Sequence, residues 1–472
     1  MNWMVFGPEL CFLFTAGVFL VLGMGRSDPQ RNQTLAVVLG AIGLGICLAA
    51  ATARGDLFAD AYRVDLFSQV FKVVLAMGFL LVVVAGGRDR GIEGAHNAEC
   101  YLLLATSTLA MMLLVSSVHL VPLFIALELS SYSLYILVAM RSGPADGVNA
   151  ALKYFLTGAC ASAMMLLGLA LVYGATGSAH LAGILQAAAR PETDPAMAVG
   201  LLLVLCGFFF KLALFPFHSW APDVYVGAAN TVAAYIAAVS KVAAIALLIR
   251  FTALAAEMAV LPLVLMLLCI VSMTLGNLAA LVQQDLKRLL AYSSIAHAGY
   301  VLIGLLSLNA AGWSGAAFYA LALMIMKFTC FLVVIVVAVD GRNPSVADLA
   351  GLHRRAPVLA LALMMALFGL AGIPPTVGFT GKLLLFMAAI QKGYLALVII
   401  AMANVVVSLY YYLQVLKAAY LLEPPEGQGR QIPTPGTTVN ALAGGLTVVM
   451  IAAGIYPAPL IALFQAATRI FG

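Results

Sequence analysis

Long apolar runs separated by short polar connections set the pattern of this chain, and each run is long enough to cross a hydrocarbon core of about 30 Å as a helix. Fourteen spans are predicted, with limits near 3–24, 34–52, 67–86, 98–116, 118–140, 149–174, 198–221, 229–253, 260–282, 286–307, 312–338, 357–389, 393–420 and 438–468. The longest connection, near 175–197, is too short to hold a folded cofactor domain.

Two of the spans are interrupted. In the seventh, Pro216, His218, Pro222 and Asp223 break the apolar pattern, and in the twelfth Pro374 and Pro375 do so. Proline removes a backbone donor and clashes with the preceding turn, and at membrane depth the freed groups must face protein or water. The two broken spans stand an odd number of places apart, so they cross in opposite directions. Discontinuous helices at corresponding positions of oppositely oriented halves are the signature of an inverted repeat. The predicted fold is an all-α polytopic membrane protein of about 14 transmembrane helices, with two inverted five-helix repeats and broken helices 7 and 12. Its expected divisions are three N-terminal helices (1–97), a first repeat of helices 4–8 (98–253), a second of helices 9–13 (260–420) and a C-terminal helix (438–472).

Composition points the same way: 64% of residues are hydrophobic and 9% charged, against about 25% charged in a soluble domain. The first span has no basic stretch before it and no small-residue cleavage site after it, so it is read as retained. All seven cysteines are solitary and no Cys-x-x-Cys occurs, which signals neither a disulfide framework nor a zinc or iron–sulfur site. Gly-x-Gly-x-x-Gly is absent, so no dinucleotide fingerprint is present. No metal-ligating or cofactor-binding residues are therefore assigned.

Lysine and arginine orient the chain. With the N-terminus outside, Arg26, Arg31, Arg88, Arg90, Arg141, Lys287, Arg288, Arg342, Arg354, Arg355, Lys417 and Arg430 fall on the cytoplasmic side. Arg54, Arg63, Arg190, Arg250, Lys392 and Arg469 fall opposite. The remaining six, Lys72, Lys153, Lys211, Lys241, Lys327 and Lys382, lie within spans. A charge at the bilayer centre costs about 3 kcal/mol on insertion scales, so such residues are functional candidates by default. Lys211, Lys241, Lys327 and Lys382, with Glu128 in the fifth span and His297 in the tenth, form a set strung across the midplane, as a proton relay requires. Desolvation disfavours a lysine's charge and a nearby carboxylate favours it, and a lysine poised between the two can load and release a proton. His218, beside the first break, has an imidazole suited to the same task. Lys72 and Lys153 lie nearer span ends, where snorkelling to the interface competes with function.

These residues sit in recognisable surroundings. FFFKLALFPFHSWAPDVYVGA, followed by AAYIAAVSK, resembles the antiporter-like membrane subunits of respiratory complex I and the related Mrp-type cation/proton antiporters. AYSSIAHAGY and GIPPTVGFTGK look like two further signatures of that family. ELSSYSLYILVAMR, ALKYFLTGACASAMMLLGLALVYGATGS and NVVVSLYYYLQVLKAAY are similar to segments of its N-type members, and the resemblance runs over most of 98–420. It implies that Glu128 pairs with Lys211, that Lys241 relays onward, that Lys153 matches the family's sixth-helix lysine, and that Lys382 leads towards the outlet. Lys327 departs from the usual N-type pattern and looks more like the eleventh-helix lysine of sister subunits. GAANTVAAY also lacks a proline that many relatives carry near Asn230. The chain's end after the fourteenth span favours an N-type over an L-type subunit.

The resemblance further implies a proton-translocating subunit of an NAD(P)H:quinone oxidoreductase, with no redox centre in this chain. NADH, FMN, iron–sulfur clusters and quinone are implied for the whole complex only. The expected partners are an antiporter-like M-type subunit, small A-, J- and K-type membrane subunits and the lipid bilayer, with no nucleic acid. The expected location is the cell inner (plasma) membrane, with both termini periplasmic. Membership of a Mrp-type cation/proton antiporter is the alternative. A stand-alone solute carrier would need a polar midplane cavity beyond the charged row, and the chain offers few residues for one.

Overall fold

The computed structural model describes residues 3–25, 27–87, 91–142, 146–188, 195–254, 261–338, 342–423 and 435–471. Arg26, Arg88, Arg90, Arg190 and Arg430, used above to orient the chain, lie outside these residues, as does the 260 limit of the second expected repeat.

Three helices open the chain: α1 Gly7–Gly23, α2 Pro29–Ala49 and α3 Leu66–Gly86. Asp28 caps α2 by accepting from the Gln30 and Arg31 backbone N–H groups, and Asp65 forms a capping box with Ser68 at the start of α3. Between them β1 Gly55–Leu57 and β2 Tyr62–Val64 pair antiparallel, in a stretch the hydrophobic pattern leaves as a connection. The chain continues through α4 Asn97–Ser116, α5 Leu120–Ala139, α6 Asp146–Thr176, a short α7 Leu181–Ala188, α8 Pro195–Leu212 and α9 Trp220–Gly227. Next come α10 Asn230–Tyr235, a π-helical turn Ile236–Ser240 and α11 Lys241–Leu254. Then follow α12 Leu261–Leu281, α13 Leu286–Leu306, α14 Ala310–Val337, a one-turn α15 Leu352–Arg355, α16 Pro357–Ala371 and α17 Val377–Gln391. The last three are α18 Leu395–Leu421, α19 Thr437–Ile455 and α20 Ala458–Thr468.

Among the described residues, twelve helices are long and apolar enough to cross a membrane alone. The shorter α1 and the broken pair α16–α17 bring the crossings to the expected fourteen. One limit is corrected. The final span, expected as one helix over 438–468, turns at Tyr456 and Pro457 and continues as α20, which packs back against α14 and α3. Pro457 and Pro459 each lack a backbone N–H, so a straight helix would lose two ladder hydrogen bonds there.

Burial separates the spans into two classes. The α10–α11 crossing and α14 are buried throughout their membrane windows and α13 almost throughout, whereas α2, α6, α18 and α19 expose most of theirs. Many exposed residues of that second class are apolar, including Leu152, Leu167, Ile399, Met402 and Val406, which suits contact with lipid or another membrane helix. Protein therefore surrounds the central helices, which carry Lys241, His297 and Lys327.

Both breaks are built alike. Helix α8 ends with Ala213 in the left-handed region (φ 61°) and the Leu214 N–H donating to the Phe209 carbonyl at 2.9 Å. Helix α16 ends with Gly372 (φ 83°) and the Ile373 N–H donating to the Phe368 carbonyl, also at 2.9 Å. These are the six-to-one bonds of a Schellman terminus. In each case a proline follows three residues after the left-handed one, Pro216 or Pro375. Glycine takes this conformation freely, while alanine bears about 1–2 kcal/mol for it.

Candidate functional site

The first cluster forms where α5, α6 and α8 meet. Lys211 lies in the last turn of α8, where unsatisfied carbonyls favour a cation, and it is buried. Its Nζ donates to the Ser130 hydroxyl at 2.6 Å and the Ser131 hydroxyl at 3.2 Å. Glu128, two residues before Ser130 on α5, accepts from Ser162 of α6 at 2.5 Å. The direct Glu128–Lys211 pair that the family resemblance implies is not formed; two serines stand between the charges. Ser131, three residues after Glu128, shares its helix face, so the lysine can choose between that hydroxyl and the carboxylate, and here it takes the hydroxyls.

Lys241 starts α11 directly after the π turn, about 16 Å along the crossing from Asn230. That places it near the midplane, where its Nζ donates to the Ser294 carbonyl of α13 at 3.3 Å. A cavity of about 10 Å³, near the smallest that holds a water, is lined by Lys241, Ser294, His297 and Lys327. On its far side Lys327 donates to the Leu290 carbonyl at 3.1 Å and the Ser293 hydroxyl at 2.7 Å. The Ser293 hydroxyl meets Tyr412 at 2.5 Å, and Tyr412 meets His297 Nε2 at 3.1 Å. His297 Nδ1 meets the Tyr319 hydroxyl at 2.8 Å. An unbroken string of polar atoms thus runs from Lys327 to Tyr319 through residues on α13, α14 and α18, all of them buried.

Lys382 occupies the second break. Its Nζ donates to the Leu370 carbonyl at 2.7 Å and the Ala371 carbonyl at 3.2 Å, and it lies 4.7 Å from the centre of the Tyr300 ring. The break supplies these acceptors, because the last carbonyls of α16 have no helical partner and carry the negative end of its dipole. Among the described residues, no carboxylate forms an ion pair with Lys211, Lys241, Lys327 or Lys382. All four ammonium groups rest on neutral oxygens.

Two expected members stand apart from this row. Lys153 has a side chain 62% exposed and pairs with Asp223 of α9 at 2.6 Å, on a carboxylate shared with Arg288 at 3.1 Å. His218 is half-buried beside the first break, with Pro216 exposed next to it, a tilted stack on Phe215 and a hydrogen bond to the Pro216 backbone. The helix-break prolines Pro216, Pro374 and Pro375 are all exposed.

The pattern of the sequence also passed over several groups. Lys72 does not snorkel: it is wholly buried and lies 2.7 Å from Glu9 of α1. Lys287, placed by the sequence at the cytoplasmic end of the tenth span, is buried and donates to the Ala228 carbonyl at 2.7 Å and to Asn230 and Asn343 at 3.0 Å. Tyr412 and Tyr319 complete the histidine's environment from distant helices. A polar residue amid apolar ones is the only signal that could have singled these out, and tyrosine gives it weakly. Among the described residues, no three His, Cys, Asp or Glu side chains are grouped as metal ligands.

Known proteins resemble this arrangement in sequence and in shape. The family described as NADH:quinone oxidoreductase/Mrp antiporter, transmembrane, matches residues 117–408. A relative named NADH-quinone oxidoreductase subunit N 2, from Syntrophobacter fumaroxidans, is 57% identical over 99% of both chains. In the solved respiratory complex I from Thermus thermophilus with bound aureothin, one chain superposes with a TM-score of 0.84 at 36% identity, covering 96% of this chain and 98% of that one. A chain of the Mrp complex from a Dietzia species superposes with a TM-score of 0.88 over 99% of this chain and 97% of that one, but at 23% identity this likeness speaks for the fold alone.

Proposed function

The chain belongs to the membrane family shared by NADH:quinone oxidoreductases and Mrp antiporters, and we propose that it works as the proton-translocating N-type membrane subunit of a complex I-type NADH:quinone oxidoreductase. In this reading quinone is reduced elsewhere in the complex, and the change there is coupled to proton movement here. NADH, FMN, iron–sulfur clusters and quinone belong to other subunits, in keeping with the solitary cysteines and the missing dinucleotide fingerprint.

The observation that carries the reading is the row of four buried lysines held only by neutral oxygens. Like charges in a poorly screened interior repel, so a proton on one station discourages a proton on the next. Such a row fills and empties in sequence rather than all at once. Glu128 lies two and three residues before the serines that hold Lys211, so the lysine can exchange partners. Engaging the carboxylate steadies the charge on Lys211, and releasing it frees the proton for Lys241. From there the cavity leads to Lys327 and the Ser293–Tyr412–His297 string, and Lys382 at the second break leads outward. Lys153, on Asp223, and His218 belong to the approach to the row in this scheme.

The like-built breaks in α8–α9 and α16–α17, crossing in opposite senses, support the two inverted repeats, 98–253 and 260–420. Arg141, Lys287 and Arg288 gather at the end of the bundle opposite Arg250, which supports a cytoplasmic end there and periplasmic termini in a cell inner membrane. The exposed apolar faces of α5 and α6 suit an antiporter-like M-type subunit or small A-, J- and K-type subunits. A Mrp antiporter is disfavoured, because the relative 57% identical over nearly the whole chain carries a subunit N name.

Purification of the intact assembly tests this. The chain should copurify with quinone-reducing activity that drives proton uptake into vesicles. Recovery in an assembly that exchanges cations without reducing quinone would contradict it.

A further inference from the structure

A buried charge pair lies outside the segment that matches the family, in the three-helix N-terminal unit. Glu9, in the first turn of α1, and Lys72, in the second turn of α3, are both 0% exposed and stand 2.7 Å apart. The hydroxyl of Tyr62, from β2, donates to the same Glu9 oxygen, Oε1, at 2.5 Å. Among the described residues, none donates to the buried Oε2 of Glu9, and the Lys72 ammonium makes no directed hydrogen bond. Native interiors rarely leave such groups unserved, and the exceptions call for an explanation.

The neighbourhood supplies one. Lys72 also lies 5.3 Å from the centre of the Tyr62 ring, a second source of support for its charge. Seven residues before it, at the N-cap of α3 and about 10 Å nearer the predicted outer face, both carboxylate oxygens of Asp65 accept from Arg250 Nη2, at 2.9 and 3.2 Å. Asp65 and Arg250 line a cavity of about 550 Å³, together with Asp60, Arg63 and His180. The titratable groups around the pair are Tyr62 from the hairpin, Cys11 of α1, Cys47 of α2, Asp65 of α3 and Arg250 of α11.

We infer that Glu9, Lys72 and Tyr62 form a second proton-holding site, which exchanges with the outer face through the cavity above Asp65 and Arg250. The site rests as carboxylate and ammonium. It takes up one proton on Oε2, giving a carboxylic acid beside an ammonium that the Tyr62 ring still supports. It then returns that proton to water in the cavity, and no bond other than O–H forms or breaks. The vacant oxygen is where the proton goes, and the hairpin that carries Tyr62 covers the pair.

The inference rests on the proton-translocating reading above, and its test separates the two. In the purified complex reconstituted in vesicles, the double variant Glu9→Gln/Lys72→Met removes both charges without leaving one buried alone. Protons moved per quinone reduced should fall, and the pH profile of pumping should change. Infrared difference spectra of the complex on reduction should contain a carboxyl band that shifts in Glu9→Asp, a variant that keeps the charge and the pairing. An assembled double variant with the parent's proton ratio and pH profile would overturn the inference. So would identical carboxyl bands in parent and Glu9→Asp, whether or not the double variant assembles. Loss of pumping in Lys211→Ala but not in the Glu9 and Lys72 variants would defeat this inference alone. Full pumping in Lys211→Ala would defeat the reading beneath it.

Discussion

Lys211 rests on the Ser130 hydroxyl at 2.6 Å, half a turn of helix from Glu128, without touching the Glu128 carboxylate. The two serines are therefore the alternative partner to the carboxylate. Replacing both, as Ser130→Ala/Ser131→Ala, leaves a buried ammonium without its acceptors, a cost of about 1–3 kcal/mol for each lost partner. Pumping by the reconstituted complex should slow by roughly tenfold or more, as that energy converts to rate. Unchanged pumping would show that the lysine does not depend on the hydroxyls.

Tyr412 joins two stations of the central string, meeting Ser293 at 2.5 Å and His297 at 3.1 Å. Tyr412→Phe removes the hydroxyl and keeps the ring. It should lower pumping, and so should Lys327→Met, which removes the ammonium that holds Ser293. Residues in one network are not additive, so the double variant should be little worse than the more damaging single one. Additive losses would assign the two residues to separate tasks.

Gly372 ends α16 with φ 83°, and a Cβ there would meet the Lys382 stem at 3.0 Å. Gly372→Ala therefore strains the backbone by about 1–2 kcal/mol and presses on the lysine in the break. The complex should unfold at a lower temperature and pump less, by thermal denaturation and vesicle assay. Ala213, the alanine in the matching position of the first break, provides the converse test: Ala213→Gly should raise the denaturation temperature.

His119 precedes α5 and caps it, its Nδ1 accepting from the Val121 N–H at 3.2 Å. Burial, and then the His180 imidazole 4.6 Å away, hold its pKa below the usual histidine range. The folded state thus prefers the neutral ring. Its contribution is intact above the ordinary value of about 6.5 and is lost as pH falls through the lowered one. Acidifying from about pH 7.5 to 5.5 should lower the parent's denaturation temperature by more than that of His119→Asn, which keeps a cap and does not titrate. Equal acid sensitivity would remove His119 from the explanation.

Much of this architecture was legible in the chain itself. A lysine within an apolar run, or a proline pair before a glycine-flanked lysine, is a local signal, and Lys211, Lys241, Lys327 and Lys382 all lie buried in the bundle. What they touch was not legible. Tyr412 meets His297 from 115 residues away, and a contact at that separation leaves no mark on either segment. For Lys72 snorkelling and function stay open in the sequence, because distance from a span end says nothing of a carboxylate on another helix. The hairpin over 55–64 escaped notice because three-residue strands are too short to show alternation. Lys153 shows the opposite failure: the family's pattern places it with the buried row, and local packing turns it outward onto Asp223.

The most direct test of the buried row is proton uptake by vesicles containing the purified complex with Lys211→Ala or Glu128→Gln, measured together with quinone reduction. Both variants should assemble, and both should lose pumping and the quinone reductase activity coupled to it. Pumping at the parent's rate in both would contradict the role of this pair, and with it the row as the proton's path.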